Sequence, residues 1–381
     1  MFPFRSQAFG LPPQVCPLYM AAQAGDDERG RTMRTRKLGT SDLEVTEFCL
    51  GTMTWGNQTP QDDAHRQLSR ALDAGINFLD AAEMYPVNPI RAETVGRTEE
   101  IIGAWFAGPG KGRRGDYVVA TKITGPNGGF VRDGRGIDAT TLREAVDASL
   151  ARLQTDVIDL YQLHWPNRGS YHFRQYWDYD PSKQDRAATE ANMREVLETL
   201  GALQAEGKIR EVGLSNESAW GAAQWLRLAA EMDAPRMVSI QNEYSLLCRM
   251  FDTDLAELSV NERVDLLAFS PLAAGLLTGK YRQGAVPEGS RMAINGDLGG
   301  RATARAHAAV DAYAAIAERH GMALDHMALA WCTTRPFMGS IIFGATTDAQ
   351  LEHILAGLDL TLPAEAMDEI ATAHRAHPMP Y

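Results

Sequence analysis

Eight short runs of apolar and β-branched residues alternate with amphipathic stretches from residue 33 onward, and this alternation constrains the fold more than any other feature. The runs are apolar almost throughout, as expected of parallel strands that are covered on both faces. They fall at residues 48–50, 76–79, 117–120, 157–163, 209–214, 238–240, 265–269 and 340–343. A strict alternation of strand and helix predicts a parallel sheet, either open or closed.

The stretches between the runs have helical spacing. Between the third and fourth runs, apolar residues recur every three or four positions, at Leu142, Val146, Leu150 and Leu153. No linker or shift in composition divides the chain after residue 33. Because eight strand–helix units favour closure of the sheet, we predict an α/β fold with a single (β/α)8 TIM barrel over residues 33–381.

Three segments elaborate the predicted barrel. Residues 35–38 and 43–45 flank a polar turn and predict an N-terminal β-hairpin. Residues 165–186, which follow the fourth barrel strand, are rich in aromatic side chains, and residues 271–300, which follow the seventh, are rich in glycine. Long loops at the carboxyl ends of barrel strands are where active sites are built.

Composition restricts the partners and the compartment. A formal net charge of −12 argues against nucleic acid or an anionic membrane as a main partner, and no apolar run is long enough to span a bilayer. The four cysteines lack CxxC spacing and have apolar neighbours, which indicates reduced thiols in a cytoplasmic protein. Residues 1–32 are irregular and are predicted to be a disordered leader or an overlong start before Met33.

Three ionisable residues end consecutive barrel strands. Asp80, Lys122 and His164 end the second, third and fourth strands at an equal spacing of 42 residues. Each alone would more often be a structural group. Because the carboxyl ends of adjacent parallel strands meet at one end of a barrel, we expect the three to converge there. An ionised Asp and Lys in a barrel mouth also require each other as partners.

Tyr85 lies five residues beyond Asp80 and is either an ordinary loop aromatic or a general acid. A phenol titrates near pH 10, and we expect the ammonium of Lys122 to lower that pKa. In this hypothesis Asp80 keeps Lys122 charged and oriented, and His164 donates a hydrogen bond to a substrate carbonyl. Matching the pKa of a proton donor to the working pH is how such catalysis gains its rate.

The remaining strand ends suit a nicotinamide nucleotide. Ser215, Asn216 and Gln241 offer neutral groups for a carboxamide, and we expect Tyr244 to stack on the ring. The helix predicted after Gly344 has an N-terminus on which a phosphate would rest. Flexible backbone and cations for a pyrophosphate are predicted to come from Phe269, Ser270, Pro271, Leu272, Lys280 and Arg291.

Together these residues resemble the aldo-keto reductase superfamily. The matching motifs, in the family order, are Gly51-Thr52-Met53, Asp80 with Tyr85, Thr121-Lys122, Leu163-His164, Gly213-Leu214-Ser215-Asn216, Gln241-Asn242, Ser270-Pro271-Leu272, Gly279-Lys280-Tyr281 and Gly344-Ala345-Thr346 with Gln350. Residues 83–86 and 163–166 are most similar to the bacterial Tas-like branch, which is related to the potassium-channel β-subunit-like reductases.

The resemblance implies a TIM barrel without a Rossmann domain, NADPH as the usual cofactor, and aldehydes or ketones as small-molecule substrates. Asp80, Tyr85, Lys122 and His164 match the family's catalytic tetrad. Hydride is then expected to pass from the nicotinamide C4 to the carbonyl carbon while Tyr85 protonates the oxygen. The strand ends and the resemblance together predict cofactor contacts at Gly51, Thr52, Met53, Asp80, Ser215, Asn216, Gln241, Tyr244, Phe269, Ser270, Pro271, Leu272, Lys280, Arg291, Gly344, Thr346 and Gln350.

Two positions depart from the family pattern at the adenosine end. Thr346 stands where NADPH-preferring members often carry a basic residue, and Ile354 stands where the family has an asparagine near the adenine. NADH therefore stays an alternative cofactor. NADPH is favoured because Lys280, Arg282 and Arg291 are expected to reach a 2′-phosphate.

The substrate pocket is predicted to include Trp55, Met84 and Trp165 together with the aromatic side chains of residues 165–186. One interpretation is a pocket for an aromatic or bulky carbonyl, and the other is that these side chains pack the insertion onto the barrel rim. The sequence favours neither interpretation.

The sequence also fits a second functional class, and it contains two misleading motifs. The alternative function is a nucleotide-binding, redox-sensing or regulatory module with little turnover, against which His164 argues. Residues 110–115 match G-x-G-x-x-G but precede a strand, which indicates a basic turn. His320 and His326 lie six residues apart, the wrong spacing for two ligands on one helical face, so no metal is predicted.

Overall fold

The computed structural model describes residues 33–381, so the predicted leader at residues 1–32 lies outside the described residues. Within 33–381 no helix is long and apolar enough to cross a membrane. The strands are β1 Thr35–Lys37, β2 Glu44–Thr46, β3 Phe48–Gly51, β4 Phe78–Asp80, β5 Val118–Ile123, β6 Ile158–Leu163, β7 Ile209–Ser215, β8 Met237–Glu243, β9 Asp265–Phe269 and β10 Met338–Phe343. The helices are α1 Gln61–Asp73, α2 Arg97–Ala107, α3 Ala139–Leu153, α4 Arg186–Ala205, α5 Ala219–Met232, α6 Asp254–Glu262, α7 Arg291–Asn295, α8 Ala304–Arg319, α9 Leu324–Thr333, α10 Asp348–Leu355 and α11 Ala364–Ala376.

Strands β3 to β10 form one closed parallel barrel in chain order, in which β10 pairs with both β9 and β3. All eight predicted barrel strands are present, and the predicted (β/α)8 fold is confirmed. The register places Asp80 beside Ala120 and Lys122 beside Gln162 on neighbouring strands. The polar residues that end β4, β5 and β6 therefore come from three adjacent strands, as their spacing predicts.

The predicted hairpin is also confirmed, since β1 and β2 pair antiparallel before the barrel begins. Its buried side chains Leu38, Leu43 and Val45 belong to the apolar cluster that includes the barrel residues Cys49 and Phe78. At the turn, Gly39 has φ +57°, and a Cβ there would lie 2.2 Å from a backbone oxygen of β8. The hairpin therefore packs against the barrel through a turn that requires glycine.

The helices cover the outside of the barrel, and polar side chains cap their N-termini. Ser218 Oγ accepts from the Gly221 amide at the start of α5, and Thr347 Oγ1 accepts from the Gln350 amide at the start of α10. Both long loops are present at the carboxyl ends of the strands. Residues 164–185 join β6 to α4, and residues 270–303, which include α7, join β9 to α8.

Candidate active site at the barrel mouth

Asp80 and Lys122 form a buried ion pair at the carboxyl ends of β4 and β5. Lys122 Nζ lies 2.7 Å from Asp80 Oδ2, and the two side chains are 0% and 4% exposed. Lys122 Nζ also donates to the Ala81 carbonyl oxygen at 2.7 Å. Burial alone would lower the pKa of Lys122, but the Asp80 carboxylate and the nearby Tyr85 outweigh burial and raise it. Lys122 is therefore a fixed cation in the mouth.

Two glutamines hold the other oxygen of Asp80. Gln241 Nε2 donates to Asp80 Oδ1 at 2.8 Å and Gln162 Nε2 donates to it at 3.4 Å. Gln241 Nε2 also lies 3.1 Å from Gln162 Oε1, so the three side chains form one buried network. Gln162 is a positioning residue that the sequence analysis missed. Gln162 lies two residues before His164, so alternation along the strand places both side chains on the same face. This spacing could have identified Gln162 from the sequence.

Tyr85 lies beside this network with its ring next to the ammonium group. Lys122 Nζ is 5.0 Å from the centroid of the Tyr85 ring, and Tyr85 is 9% exposed. Burial raises the pKa of the Tyr85 phenol, and the charge of Lys122 opposes that rise without cancelling it. The expected effect of Lys122 is confirmed in direction, and the pKa is raised overall because desolvation is the larger effect. The phenol is therefore protonated at neutral pH.

His164 completes the group from the end of β6. Its ring packs edge-on against Tyr85, with ring centroids 5.9 Å apart. Burial first, and then the charge of Lys122, lower the pKa of His164 well below its ordinary value. The imidazole is therefore neutral, with one N–H to donate. Within residues 33–381 its buried Nδ1 has no hydrogen-bond partner.

The wall beside Tyr85 is apolar. Met84 and Val131 are buried in one cluster with Tyr85, and Met53 and Trp165 pack against that cluster. The indole Nε1 of Trp165 donates to the Pro126 carbonyl oxygen at 3.0 Å. Two predicted pocket residues, Met84 and Trp165, are therefore placed beside the phenol.

A buried ion pair fixes the loop that carries Val131. Arg132 pairs with Glu83, which also accepts from the Thr124 amide, and Arg132 Nη2 donates to the Thr124 carbonyl oxygen at 2.7 Å. Glu83 and Arg132 are further positioning residues that the sequence analysis did not identify. They tie the loop after β5 to the segment that leads into Tyr85.

Ser215 and Asn216 end β7 next to His164. Asn216 Nδ2 donates to the His164 carbonyl oxygen at 2.9 Å, and Ser215 Oγ donates to the Gln241 carbonyl oxygen at 2.9 Å. Asn216 Oδ1 is buried and has no hydrogen-bond partner among the described residues. A buried acceptor without a partner is costly, and it is suited to the N–H of a ligand carboxamide.

Two cations, Lys280 and Arg291, come from the loop after β9. Arg291, at the start of α7, is close enough to Tyr85 to affect the pKa of the phenol, and no carboxylate within residues 33–381 pairs with it. Burial, and then the charge of Arg301, lower the pKa of Arg291 to about 10. Lys280 is exposed, with Nζ 5.2 Å from the centroid of the Tyr281 ring. Together, Arg291 and Lys280 suit an anion such as a pyrophosphate.

The backbone between β9 and Lys280 has an unusual conformation. Ser270, Ala273 and Ala274 have φ values of 54°, 49° and 57°, and Gly275 follows with φ 97°. Left-handed conformations at non-glycine residues cost of order 1–3 kcal/mol each and cluster at ligand-binding segments. Phe269, Ser270 and Leu272 are half-buried here, whereas Pro271 is buried.

The carboxyl ends of β3 and β10 lie close together on the rim of the barrel mouth. A Cβ at Gly344 would lie 3.2 Å from the Gly51 carbonyl oxygen, and a Cβ at Gly51 would lie 3.1 Å from the Phe343 carbonyl oxygen. Thr52 Oγ1 donates to the Asp80 carbonyl oxygen at 2.8 Å and so helps to fix Asp80. Beyond Gly344, the amide and hydroxyl of Thr346 donate to Gln350 Oε1 at 2.9 and 3.0 Å, just before α10.

The structure corrects two predicted site residues. Trp55 is fully buried, and its Nε1 donates to Gln67 Oε1 on α1 at 3.2 Å, so it belongs to the core beneath the helix and not to a substrate pocket. Tyr244 is also fully buried. Its ring stacks on Trp331 at a centroid distance of 5.3 Å, and its hydroxyl donates to Asp252 at 2.6 Å. Because the ring is fully buried against Trp331 and the hydroxyl is bonded to Asp252, Tyr244 is not placed to stack on a ligand in the mouth.

A third correction concerns the predicted phosphate cations. Arg282 is held against α8 by Asp311 and Glu318, at 2.8 and 2.9 Å, so it is already paired with two carboxylates. Ile354 is 5% exposed and packs in the core under α10. Lys280 and Arg291 are therefore the predicted cations that stay without a carboxylate in the described part of the chain.

Three potential metal ligands meet away from the mouth, between α9 and α10. Asp325, His326 and His353 each offer a ligand atom, and these atoms lie within 4.8 Å of one another. His353 Nε2 pairs with Asp325 Oδ2 at 2.8 Å, and His326 Nε2 pairs with the His353 carbonyl oxygen at 2.8 Å. The two imidazoles stack at 23°, so their in-plane lone pairs do not converge on one point. The cluster acts as a clamp between two helices.

A closed barrel with a lysine, a carboxylate, a phenol and a neutral imidazole at its mouth is an architecture suited to proton transfer. The sequence model of the Aldo/keto reductase family matches residues 47–375. Protein tas of Escherichia coli (strain K12) is 42% identical over 352 residues, which cover 91% of this chain and 99% of that protein. A protein of Bacillus subtilis (strain 168) named uncharacterized oxidoreductase YrpG is 32% identical over 334 residues, or 87% of this chain and 92% of its own.

A probable voltage-gated potassium channel subunit beta of Arabidopsis thaliana is 30% identical over 343 residues, or 86% of this chain and 92% of that protein. The chain belongs to the aldo/keto reductase family. The three relatives confirm the predicted branch. Family membership makes the chain an oxidoreductase of the kind that uses nicotinamide cofactors on small-molecule substrates.

Proposed function

We propose that this chain reduces aldehyde or ketone carbonyls to alcohols with NADPH, and that Tyr85 is the proton donor. The observation that carries the proposal is the arrangement of Tyr85 between the buried Lys122–Asp80 pair and the ring of His164. A protonated phenol beside a fixed cation donates a proton well, because the cation stabilises the phenolate that is left behind.

The residues have separate roles in this mechanism. When bound, the nicotinamide supplies a hydride to the carbonyl carbon, and Tyr85 gives its proton to the carbonyl oxygen. Lys122 stabilises the Tyr85 phenolate until solvent returns a proton. The neutral His164 donates its N–H to the carbonyl oxygen and orients it. Asp80, fixed by Gln162 and Gln241, keeps Lys122 charged and in place.

The groups around the mouth fit the cofactor. Asn216 Oδ1 lacks a partner and is suited to accept from the carboxamide N–H. Arg291 and Lys280 lack carboxylate partners in the described chain and are suited to a pyrophosphate and a 2′-phosphate. Further predicted contacts are Gly51, Thr52, Met53, Phe269, Ser270, Pro271, Leu272, Gly344, Thr346 and Gln350, which lie on the same rim or in the adjoining loops.

NADPH is proposed over NADH because Lys280 and Arg291 have no carboxylate partner among the described residues and can bind the additional 2′-phosphate. Arg282, which is paired with Asp311 and Glu318, is not needed for this. The ratio of kcat/KM for NADPH to kcat/KM for NADH tests this preference. A clear advantage of NADH would overturn it.

The proposed substrates are aromatic or bulky carbonyls. Met84 and Trp165 form an apolar wall next to Tyr85, and Phe173, which is 41% exposed, packs edge-on against Trp165 at 5.8 Å. A panel of short aliphatic and aromatic aldehydes tests this point. A higher kcat/KM for the aliphatic aldehydes would contradict it.

The relative named as a potassium channel subunit favours a second candidate, a nucleotide-binding regulatory module with little turnover. The two candidates separate in one assay, the loss of NADPH absorbance in the presence of 4-nitrobenzaldehyde. Steady consumption of NADPH supports the reductase. Tight NADPH binding with no turnover on a broad aldehyde panel would favour the regulatory module.

A cytoplasmic location is part of the proposal. Cys49, Cys248 and Cys332 are buried free thiols, which suits a reducing compartment. Fractionation of the native host tests this location, and recovery of the protein outside the cytoplasm would contradict it.

A further inference from the structure

The segment after α11 crosses to the barrel mouth and buries its tyrosine there. Tyr381 is 3% exposed, and its hydroxyl donates to Glu243 Oε1 at 3.0 Å. Glu243 is the last residue of β8, two positions after the Gln241 that holds Asp80. The segment therefore ends against the strand that supports the catalytic network.

Glu243 also joins the two long loops. Arg301 belongs to the loop after β9, and its Nε lies 2.7 Å from Glu243 Oε1. Arg174 belongs to the loop after β6, and its Nη1 lies 3.1 Å from Glu243 Oε2. Both arginines and the carboxylate are largely buried. One carboxylate thus pairs with a cation from each loop, and the Tyr381 hydroxyl satisfies a further acceptor position on the same group.

Both loops contact the segment directly as well. Tyr176, in the first loop, donates its hydroxyl to the Tyr381 carbonyl oxygen. Thr303, at the end of the second loop, donates to the Pro380 carbonyl oxygen at 2.5 Å. The loops also touch each other, since a Cβ at Gly299 would lie 3.3 Å from Arg174 Nη2. Tyr381 and Pro380 therefore lie where the two loops meet.

We propose that Tyr381 is a positioning residue that clasps both active-site loops through Glu243. The clasp holds the loop that carries Arg291 and Lys280 against the loop that follows His164. Its consequence for turnover rests on the proposed reductase function, whereas its effect on loop order does not. Within residues 33–381 the Tyr381 side chain bonds to Glu243 and lies near Arg301, and no hydrogen bond joins it to Asp80, Lys122 or the proposed cofactor groups.

Hydrogen–deuterium exchange of the full-length protein tests the clasp without requiring turnover. Tyr381→Ala is expected to speed amide exchange in residues 171–179 and 297–303 by roughly tenfold or more, because it removes the ring near Arg301 and the hydrogen bond to Glu243 that hold the Pro380 and Tyr381 carbonyl oxygens against both loops. Tyr381→Phe keeps the ring near Arg301 and loses the hydrogen bond to Glu243, so an increase of roughly fivefold is expected. Exchange in α1, which lies between β3 and β4, is expected to stay at the wild-type rate.

Tyr117→Phe is the matched control, because it removes another buried tyrosine hydrogen bond, from the hydroxyl to the Leu68 carbonyl oxygen, away from both loops. It should leave exchange in both loops unchanged. In turnover assays, Tyr381→Ala should also raise KM for NADPH more than it lowers kcat, and Tyr381→Phe should raise KM by a smaller factor. Unchanged exchange in both loops of Tyr381→Ala, or loosening of one loop alone, would overturn the proposal.

Discussion

Lys122 Nζ lies 2.7 Å from Asp80 Oδ2 in a site where the two side chains are 0% and 4% exposed. A buried ion pair contributes little net stability compared with apolar side chains, but removal of one partner leaves an uncompensated charge. We therefore expect the pair to serve the phenol beside it more than the stability of the fold. Mutations should then separate the effect of the pair on protein stability from its effect on activity.

Asp80→Asn and Lys122→Met should each lower the free energy of unfolding by about 3–5 kcal/mol, because each leaves the other charge buried and unpaired. The double variant Asp80→Asn/Lys122→Met should recover most of that loss, since no charge is then left alone. Activity should stay low in all three variants. Urea denaturation measures the stabilities, and additive losses in the double variant would contradict the account.

Stability should depend on pH through His164, whose pKa is lowered in the folded protein. Above the pKa of His164 in the unfolded chain, near 6.5, the imidazole is neutral in both the folded and the unfolded state. His164 therefore adds no pH dependence to the stability in that range. As the pH falls below that value the unfolded state takes up a proton that the folded state does not, and stability is lost at up to about 1.4 kcal/mol per pH unit.

His164→Gln should therefore lose less stability than the wild type between pH 7 and pH 5. His172 and His374, whose pKa values burial also lowers, contribute equally to both proteins and cancel in the comparison. Urea denaturation at several pH values provides the measurement. Parallel stability curves for the two proteins would show that His164 is not kept neutral by the fold.

Arg291 and Arg282 provide a test position and a matched control position for cofactor binding. Arg291→Met should weaken NADPH binding roughly 10–100-fold, because it removes charge-assisted hydrogen bonds to a phosphate. Arg282→Met should leave the Kd near the wild-type value, since Arg282 is already paired with Asp311 and Glu318. Quenching of protein fluorescence by NADPH measures both. Equal losses in the two variants would refute the assignment of Arg291.

Lys280 should account for the preference between the two cofactors. Lys280→Ala is expected to raise the KM for NADPH roughly tenfold and to leave the KM for NADH unchanged, because NADH lacks the 2′-phosphate that an ammonium would pair with. Steady-state kinetics with both cofactors provide the measurement. An equal change in both KM values would show that Lys280 binds a group that the cofactors share.

Much of the fold and of the tetrad could be predicted because each follows from a local pattern. Apolar runs separated by helical spacing predicted all eight barrel strands, and the equal spacing of Asp80, Lys122 and His164 predicted adjacent strand ends, which β4, β5 and β6 provide. The net effect on the Tyr85 pKa could not be predicted in the same way, because it depends on how completely the phenol is buried.

The wrong assignments involve side chains whose direction depends on packing. Gln241 faces Asp80, and alternation continued past the end of β8 points Tyr244 the opposite way, toward the helices. This period was the clue that would have excluded Tyr244. Trp55 follows β3 in a turn, where no such period applies, and its burial depends on Gln67 of α1. The ion pairs of Arg282 likewise join residues that the sequence does not show to be neighbours.

The central claim is that Tyr85 donates the proton, and Tyr85→Phe tests it most directly. The variant keeps the ring beside Lys122 and His164 and removes only the hydroxyl. The measurement is kcat for NADPH-dependent reduction of 4-nitrobenzaldehyde, with the Kd for NADPH measured on the same protein. The account predicts that kcat falls by about 10²–10⁴-fold while the Kd stays near the wild-type value. A Tyr85→Phe variant that reduces the aldehyde at close to the wild-type rate would contradict it.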